Sequence, residues 1–238
     1  MTQLMVSVRN AWEARIALGA GAGLIDVQDP RRGPLGPPDP RVVEEVTRVV
    51  GGTVPVGVAL GELCDWDRSE WADFPRGVSY ARMGLAGCAR HADWSRRWHD
   101  VLAGLPSGVQ PMAVLYADWL AAAAPPPGEV LVAGRANGCR AAIVDTFDKS
   151  RGNLMDWFTL HELASVVAGI RAGGMLVVLA GSLSVDTIPE ALSVEPDWIG
   201  VRGAACSGGR CGPLDPIRVR QLTRLMESTS MIESLRIP

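Results

Sequence analysis

The sequence predicts a single-domain α/β fold over residues 1–238, a closed (β/α)8 or TIM barrel. Short apolar runs rich in β-branched residues alternate eight times with helical stretches, and such alternation demands parallel strands joined by crossovers. The chain has 238 residues, close to the roughly 250 typical of these barrels. No G-x-G-x-x-G follows the first strand, which counts against the runner-up, an open doubly wound sheet. A hydrophobic content of 47% supports one well-packed core.

Taken in order, Leu4 to Val8 reads as the first strand. Asn10 caps a helix from Ala11 to Gly19, expected to bury Trp12, Ile16 and Leu18. Gly23 to Pro30 is a second strand with Asp26, Gln28 and Asp29 at its polar end. The Pro/Gly loop from Pro30 to Pro40, with Arg31 and Arg32, exceeds the usual 2–6 residues and is expected to serve as a lid. Arg41 to Val50 is helical, stopped by Gly51 and Gly52; Val54 to Leu60 is the third strand, ending at Gly61 and Glu62. A tryptophan-rich loop or short helix with Trp66 and Trp71 stands where the third helix belongs. Val78 to Gly84 is the fourth strand and Ser95 to Leu105 the fourth helix, with Asp93 as its cap. Gln110 to Tyr116 is the fifth strand, and Pro125 to Pro127 precede a helix running to Ala136. Ala141 to Val144, after Gly138, is the sixth strand, followed by a helix from Leu160 to Ala172. Met175 to Ala180, a short helix from Val185 to Leu192, Trp198 to Arg202 and an amphipathic helix from Pro216 to Glu227 complete the pattern.

Composition narrows the partners. A net charge of −3 shows no basic excess, so nucleic acid is not expected. No run approaches the roughly 20 apolar residues that span a bilayer, and the opening M-T-Q-L-M-V-S-V-R-N lacks the secretory pattern. A cytoplasmic protein without membrane contact is the expectation. The cysteines (Cys64, Cys88, Cys139, Cys206, Cys211) show no C-x-x-C spacing, so neither a zinc site nor a disulfide framework is indicated. His91, His99 and His161 read as surface or capping residues. The tryptophans are expected in packing between helices or at subunit contacts, and a homo-oligomer is expected.

A (β/α)8 barrel builds its active site at the C-terminal ends of the strands. Those ends carry Ser7 and Arg9, Asp26 and Gln28, Glu62, Arg82, Asp118, Asp145 and Lys149, Ser182, and Arg202. Polar groups over an apolar interior mark a site, because they are costly unless paired. Salt bridges that close the barrel are the alternative for Glu62 and Arg202. Lys149 is the only lysine in the chain. It is a surface residue or, four places after Asp145 at a strand end, an amine able to act as nucleophile or base, which a guanidinium cannot. Gly181-Ser182 and Gly203-Ala204 follow strands seven and eight, where barrels often bind phosphate through backbone N–H groups. A phosphorylated small-molecule substrate also suits Arg31 and Arg32.

The stretches L-M-V-S-V-R-N-A-W-E-A, G-A-G-L-I-D-V-Q-D-P-R-R-G-P-L-G, R-M-G-L-A-G-C, D-T-F-D-K-S, L-A-G-S-L and V-R-G-A-A-C occur in this order. Across nearly the whole chain they resemble the (5-formylfuran-3-yl)methyl phosphate synthases. The resemblance implies a (β/α)8 lyase that condenses two molecules of glyceraldehyde 3-phosphate into a phosphorylated furan aldehyde, for a methanofuran- or methylofuran-type carrier. It implies no metal or organic cofactor. Its D-T-x-x-K element is intact as Asp145 and Lys149, and the aspartate of its D-V-K as Asp26. The Schiff-base lysine of D-V-K, however, is Gln28 here, and the family's second lysine is Arg82. An amide cannot form an imine, and arginine is a poor base.

Three readings follow from that departure. Lys149 takes the covalent role and furan formation continues; the barrel acts on a related phosphorylated aldehyde; or it is a non-catalytic homologue that binds a phosphorylated ligand or a partner protein. Gln28 and Arg82 as engineered substitutions are a further possibility. The first reading is the expectation carried forward, with Lys149, Asp145, Asp26, Gln28 and Arg82 as the catalytic group. Ser7, Gly181, Ser182, Gly203 and Ala204 form the substrate- and phosphate-binding group.

Overall fold

Eight parallel strands close on one another in sequence order, β1 (Gln3–Val8), β2 (Leu24–Val27), β3 (Val56–Glu62), β4 (Tyr80–Gly84), β5 (Gln110–Tyr116), β6 (Ala141–Asp145), β7 (Leu176–Leu179) and β8 (Trp198–Val201), with β8 pairing back onto β1. The structure is a computed structural model that describes residues 1–234; residues 235–238 of the expected domain lie outside the described residues. Around the barrel stand α1 (Ala11–Gly19), α2 (Pro40–Val50), α3 (Trp94–Ala103), α4 (Pro127–Ala136), α5 (Leu160–Ala172), α6 (Ile188–Leu192) and α7 (Pro216–Ser234). No helix among the described residues is long and apolar enough to cross a membrane.

The strands read as nearly unbroken apolar runs because both of their faces are covered. Val6, Val8, Ile25, Val27 and Val58 belong to the outer core that also takes in Val43, Val46 and Val50 of α2. Met5, Leu24, Met112, Val114, Ile143, Val178 and Trp198 fill the barrel interior. At its N-terminal end Tyr80 meets Trp198 edge-on, ring centres 6.0 Å apart. Alternating side chains thus give a plugged barrel, leaving only the C-terminal rim for polar groups.

Two local expectations are corrected, for Trp12 and for Asp93. Trp12 of α1 is 55% exposed, while Glu13, Ala14 and Ala17 turn inward. Asn10 does cap this helix, accepting from Glu13 N at 2.9 Å. Between β3 and β4 stand two short 3-10 turns, Leu63–Asp65 and Arg68–Trp71, in keeping with the loop or short helix expected there. That segment has no sustained 3.6-residue apolar repeat, and Asp67 diverts the backbone by accepting from Ser69 N at 2.8 Å. Asp93 stands at the start of α3 without capping it; its carboxylate pairs with Arg96 at 3.2 Å. The Pro/Gly loop after β2 is tightly folded: Asp29 N donates to Gly36 O at 2.9 Å. Its Leu35 is buried with the interior cluster of the barrel.

Candidate active site

Parallel register brings the strand-end polar groups level. Ser7 lies opposite Asp26, Asp26 opposite Gly57, and Tyr116 opposite Asp145. Asp26 and Gln28 face the same way, being two residues apart, and both meet the guanidinium of Arg82. Arg82 Nη1 forms an ion pair with Asp26, and Nη2 donates to Gln28 Oε1 at 2.9 Å. Ser7 Oγ donates to Asp26 Oδ2 at 2.9 Å. Gly57 makes room for this carboxylate, since a Cβ there would lie 3.1 Å from Asp26 Oδ1. All four polar residues are buried, and buried charges persist only when paired. Burial pushes the Arg82 pKa down to about 10, so it remains a cation at neutral pH.

Lys149 lies just beyond β6, its Nζ paired with Asp145. Asp145 Oδ1 also accepts from Thr146 N at 2.8 Å. Asp118, at the end of β5, accepts from Phe147 N at 2.6 Å and Asp148 N at 2.8 Å, which fixes the turn that holds Lys149 over the barrel. Burial lowers the Lys149 pKa below the ordinary lysine value, and the attraction of Asp145 offsets this only in part. The contest between burial and carboxylate thus favours the neutral amine relative to a solvated lysine.

A cavity of about 240 Å³ opens at this rim. Every expected site residue lines it except Asp26, which lies beneath, behind Arg82. The loop after β7 enters with Gly181 at φ 98° and Ser182 at φ 54°. A left-handed serine is a strained conformation of the kind found at ligand sites. Gly181 is needed twice over, for its φ and because a Cβ would approach Thr146 N to 3.0 Å.

The loop after β8 is held by the Arg202–Glu13 pair. Arg202 Nη1 donates to Glu13 Oε2 at 2.6 Å and to Ser7 O at 2.9 Å; Nη2 donates to Gly212 O at 2.8 Å and Nε to Arg210 O at 3.0 Å. Glu13 also receives Arg9 Nε at 3.0 Å and Leu214 N at 3.3 Å. Burial alone would push the Glu13 pKa up, but the hydrogen bonds from Arg202 and Arg9 outweigh it and hold it low. The salt-bridge reading therefore holds for Arg202. It fails for Glu62, which accepts from Tyr116 OH at 2.6 Å and Ala86 N at 2.8 Å and forms no ion pair among the described residues. Burial pushes its pKa up.

Arg31 and Arg32 do not reach the cavity. Arg31 is exposed, and Arg32 pairs with Glu70 at 3.6 Å and donates to Pro37 O at 2.8 Å. The cation that enters is Arg210, from the S-G-G-R-C-G stretch after β8, a residue the sequence reading passed over. Its Nη2 donates to Pro34 O at 2.7 Å and Gly33 O at 3.2 Å, tying the loop after β8 to the loop after β2. Arg82, Arg202 and Lys149 each face a carboxylate, whereas Arg210 forms no ion pair among the described residues. The cavity thus carries surplus positive charge. A larger groove of about 1020 Å³ lies on the flank left open by the absent helix, between α2 and α3, and includes Trp66, Trp71 and Phe74. It contains none of the strand-end groups.

His91, His99 and His161 are exposed, with His99 Nδ1 2.9 Å from Asn137 Oδ1. No cluster of three or more His, Cys, Asp or Glu suited to a metal occurs among the described residues.

The closed barrel with this polar mouth belongs to a structural class with solved members. Phosphoribosyl anthranilate isomerase from Thermus thermophilus matches with a TM-score of 0.62 at 12% identity, over 95% of this chain and 99% of that one. Thiamine phosphate pyrophosphorylase from Pyrococcus furiosus matches with 0.63 at 12% identity, over 96% of each. At such identity the likeness shows the fold alone. Sequence gives the particular family: residues 4–223 match the family described as 4-HFC-P synthase, and the chain belongs to it. It is 28% identical over 233 residues to the (5-formylfuran-3-yl)methyl phosphate synthase of Methanothermobacter thermautotrophicus, covering 94% of this chain and 99% of that one. The Methanocaldococcus jannaschii synthase is 29% identical over 231 residues, 93% and 98% of the two chains. A Methylorubrum extorquens protein named provisionally for the same activity is 33% identical over 229 residues, 95% and 92%.

Proposed function

We propose that this barrel is a (5-formylfuran-3-yl)methyl phosphate synthase-like lyase that joins two molecules of glyceraldehyde 3-phosphate, with Lys149 supplying the amine. The observation that carries the reading is one cavity holding both Lys149, beside Asp145, and Arg210, which has no ion-pair partner among the described residues. Arg210 and the loops at Gly181-Ser182 and Gly203-Ala204 bind the phosphate. The neutral amine of Lys149 adds to the aldehyde carbon, and loss of water gives an imine, with Asp145 taking and returning the protons. The imine acidifies the adjacent C–H, so the carbanion that attacks the second aldehyde can form. Arg82, locked against Asp26 and Gln28, acts as a fixed cation toward developing negative oxygen. The product would feed a methanofuran- or methylofuran-type carrier.

The test is incubation with glyceraldehyde 3-phosphate and borohydride, followed by intact mass and peptide mapping. A reduced adduct on Lys149, absent from Lys149→Arg, is expected. Phosphate binding that depends on Arg210, with no adduct and no furan absorbance, would replace this reading with a ligand-binding barrel.

A further inference from the structure

We infer that Cys64 and Cys88 form a reversible dithiol–disulfide oxidation site that fastens the ends of β3 and β4 together. Their sulfurs lie 3.4 Å apart across 24 residues of sequence. Cys64 is exposed in the 3-10 turn after β3, and Cys88 is buried at the start of the turn Cys88–Arg90 after β4. The two segments are already joined, because Ala86 N donates to Glu62 Oε2 at 2.8 Å. Gly87, at φ 78°, lies between the two segments, where a Cβ would make an ordinary contact with Cys64 Sγ at 3.5 Å. Cys139 and Cys206 are buried, and Cys211 is exposed.

A disulfide needs about 2.0 Å between sulfurs, so they must close by about 1.4 Å. A rotation of the exposed Cys64 side chain supplies a movement of that size. The oxidant is a peroxide or a small-molecule disulfide. With hydrogen peroxide, the Cys64 thiolate attacks one oxygen, giving a sulfenic acid and hydroxide. The Cys88 sulfur then attacks the Cys64 sulfur, the S–O bond breaks, and water leaves with the Cys88 proton. Two electrons pass from the sulfurs to the peroxide, and a thiol reductant restores both thiols. Burial pushes the Cys88 thiol up and shields it, so oxidation begins at Cys64. The bond closes a ring around the Glu62–Ala86 hydrogen bond and stiffens the rim between Glu62 and Arg82.

The whole protein, treated with hydrogen peroxide, alkylated under denaturing conditions and digested without reduction, tests this. A Cys64–Cys88 cross-linked peptide is expected, with Cys139, Cys206 and Cys211 recovered alkylated. Oxidation should raise Tm by about 5–10 °C, reversed by dithiothreitol and absent in Cys64→Ser. The reduced Cys64→Ser variant should melt with the reduced parent, since Cys64 is exposed. Recovery of Cys64 as a sulfinic acid with Cys88 alkylated, or cross-links through Cys211, would overturn the pairing. A cross-link without a rise in Tm would overturn the fastening.

Discussion

Replacing Gln28 with lysine returns an amine to the position where the family resemblance implies the Schiff base, but the structure sets its terms. Gln28 Oε1 lies 2.9 Å from Arg82 Nη2 in a buried cluster. An ammonium there would stand roughly 4 Å from the guanidinium, a repulsion of about 4 kcal/mol at an effective dielectric of 20. At 1.36 kcal/mol per unit, that repulsion alone lowers its pKa by about 3. Burial adds to this lowering while the Asp26 carboxylate pulls the other way, so the new amine should titrate below the ordinary lysine value of about 10.4. Borohydride trapping of glyceraldehyde 3-phosphate by Gln28→Lys, across pH 7 to 10 with peptide mapping, is the assay. An adduct at position 28 is expected, rising with pH to a midpoint below that of an ordinary lysine, together with a gain in furan formation. A folded variant trapped only at Lys149 at every pH would refute the electrostatic reasoning and show that the site has diverged beyond this one residue.

Lys149→Ala should abolish activity with the barrel intact by circular dichroism, and Lys149→Arg should cut turnover by about 10²-fold or more while phosphate binding survives; full activity in the arginine variant excludes an essential imine there. Glu13→Gln leaves Arg202 without its buried partner, a loss of about 3–5 kcal/mol, or about 6–20 °C in Tm. A calorimetric shift under 2 °C would contradict it. The Glu62 pKa is raised by burial, so its stabilising contribution is complete below the unfolded value of about 4.3 and is lost as pH rises through the folded value. The difference in urea midpoint between the protein and Glu62→Gln, followed from pH 4 to 7, should shift against the parent as pH rises; a constant difference would show that Glu62 ionises normally.

The sequence reading succeeded where chemistry follows from local pattern. The drop from A-A-I-V to Asp145 marked the end of β6, and the spacing of Asp26 and Gln28 placed them on one face. It failed where the partner is remote. In the nine residues of α1 periodicity allows more than one inward face, and apolarity favoured Trp12. Glu13 turns in because Arg202, 189 residues away, supplies its counter-ion. Arg210 was missed for the same reason, since its acceptors Gly33 and Pro34 lie about as far off in the chain. The adjacent pair Arg31-Arg32 was the more visible basic signal and faces elsewhere.

The Glu13–Arg202 bond also sets a timetable for synthesis. At roughly 5–20 residues per second, Arg202 follows Glu13, 189 residues ahead of it, by about 10–40 s. Until β8 arrives, β1 has only β2 beside it, so one of its edges stays open to other chains. Arg9, just before α1, can shield the carboxylate meanwhile. Final closure is therefore a late, long-range event, and a ribosome stalled before codon 202 would hold an adhesive, unfinished barrel for chaperones to guard.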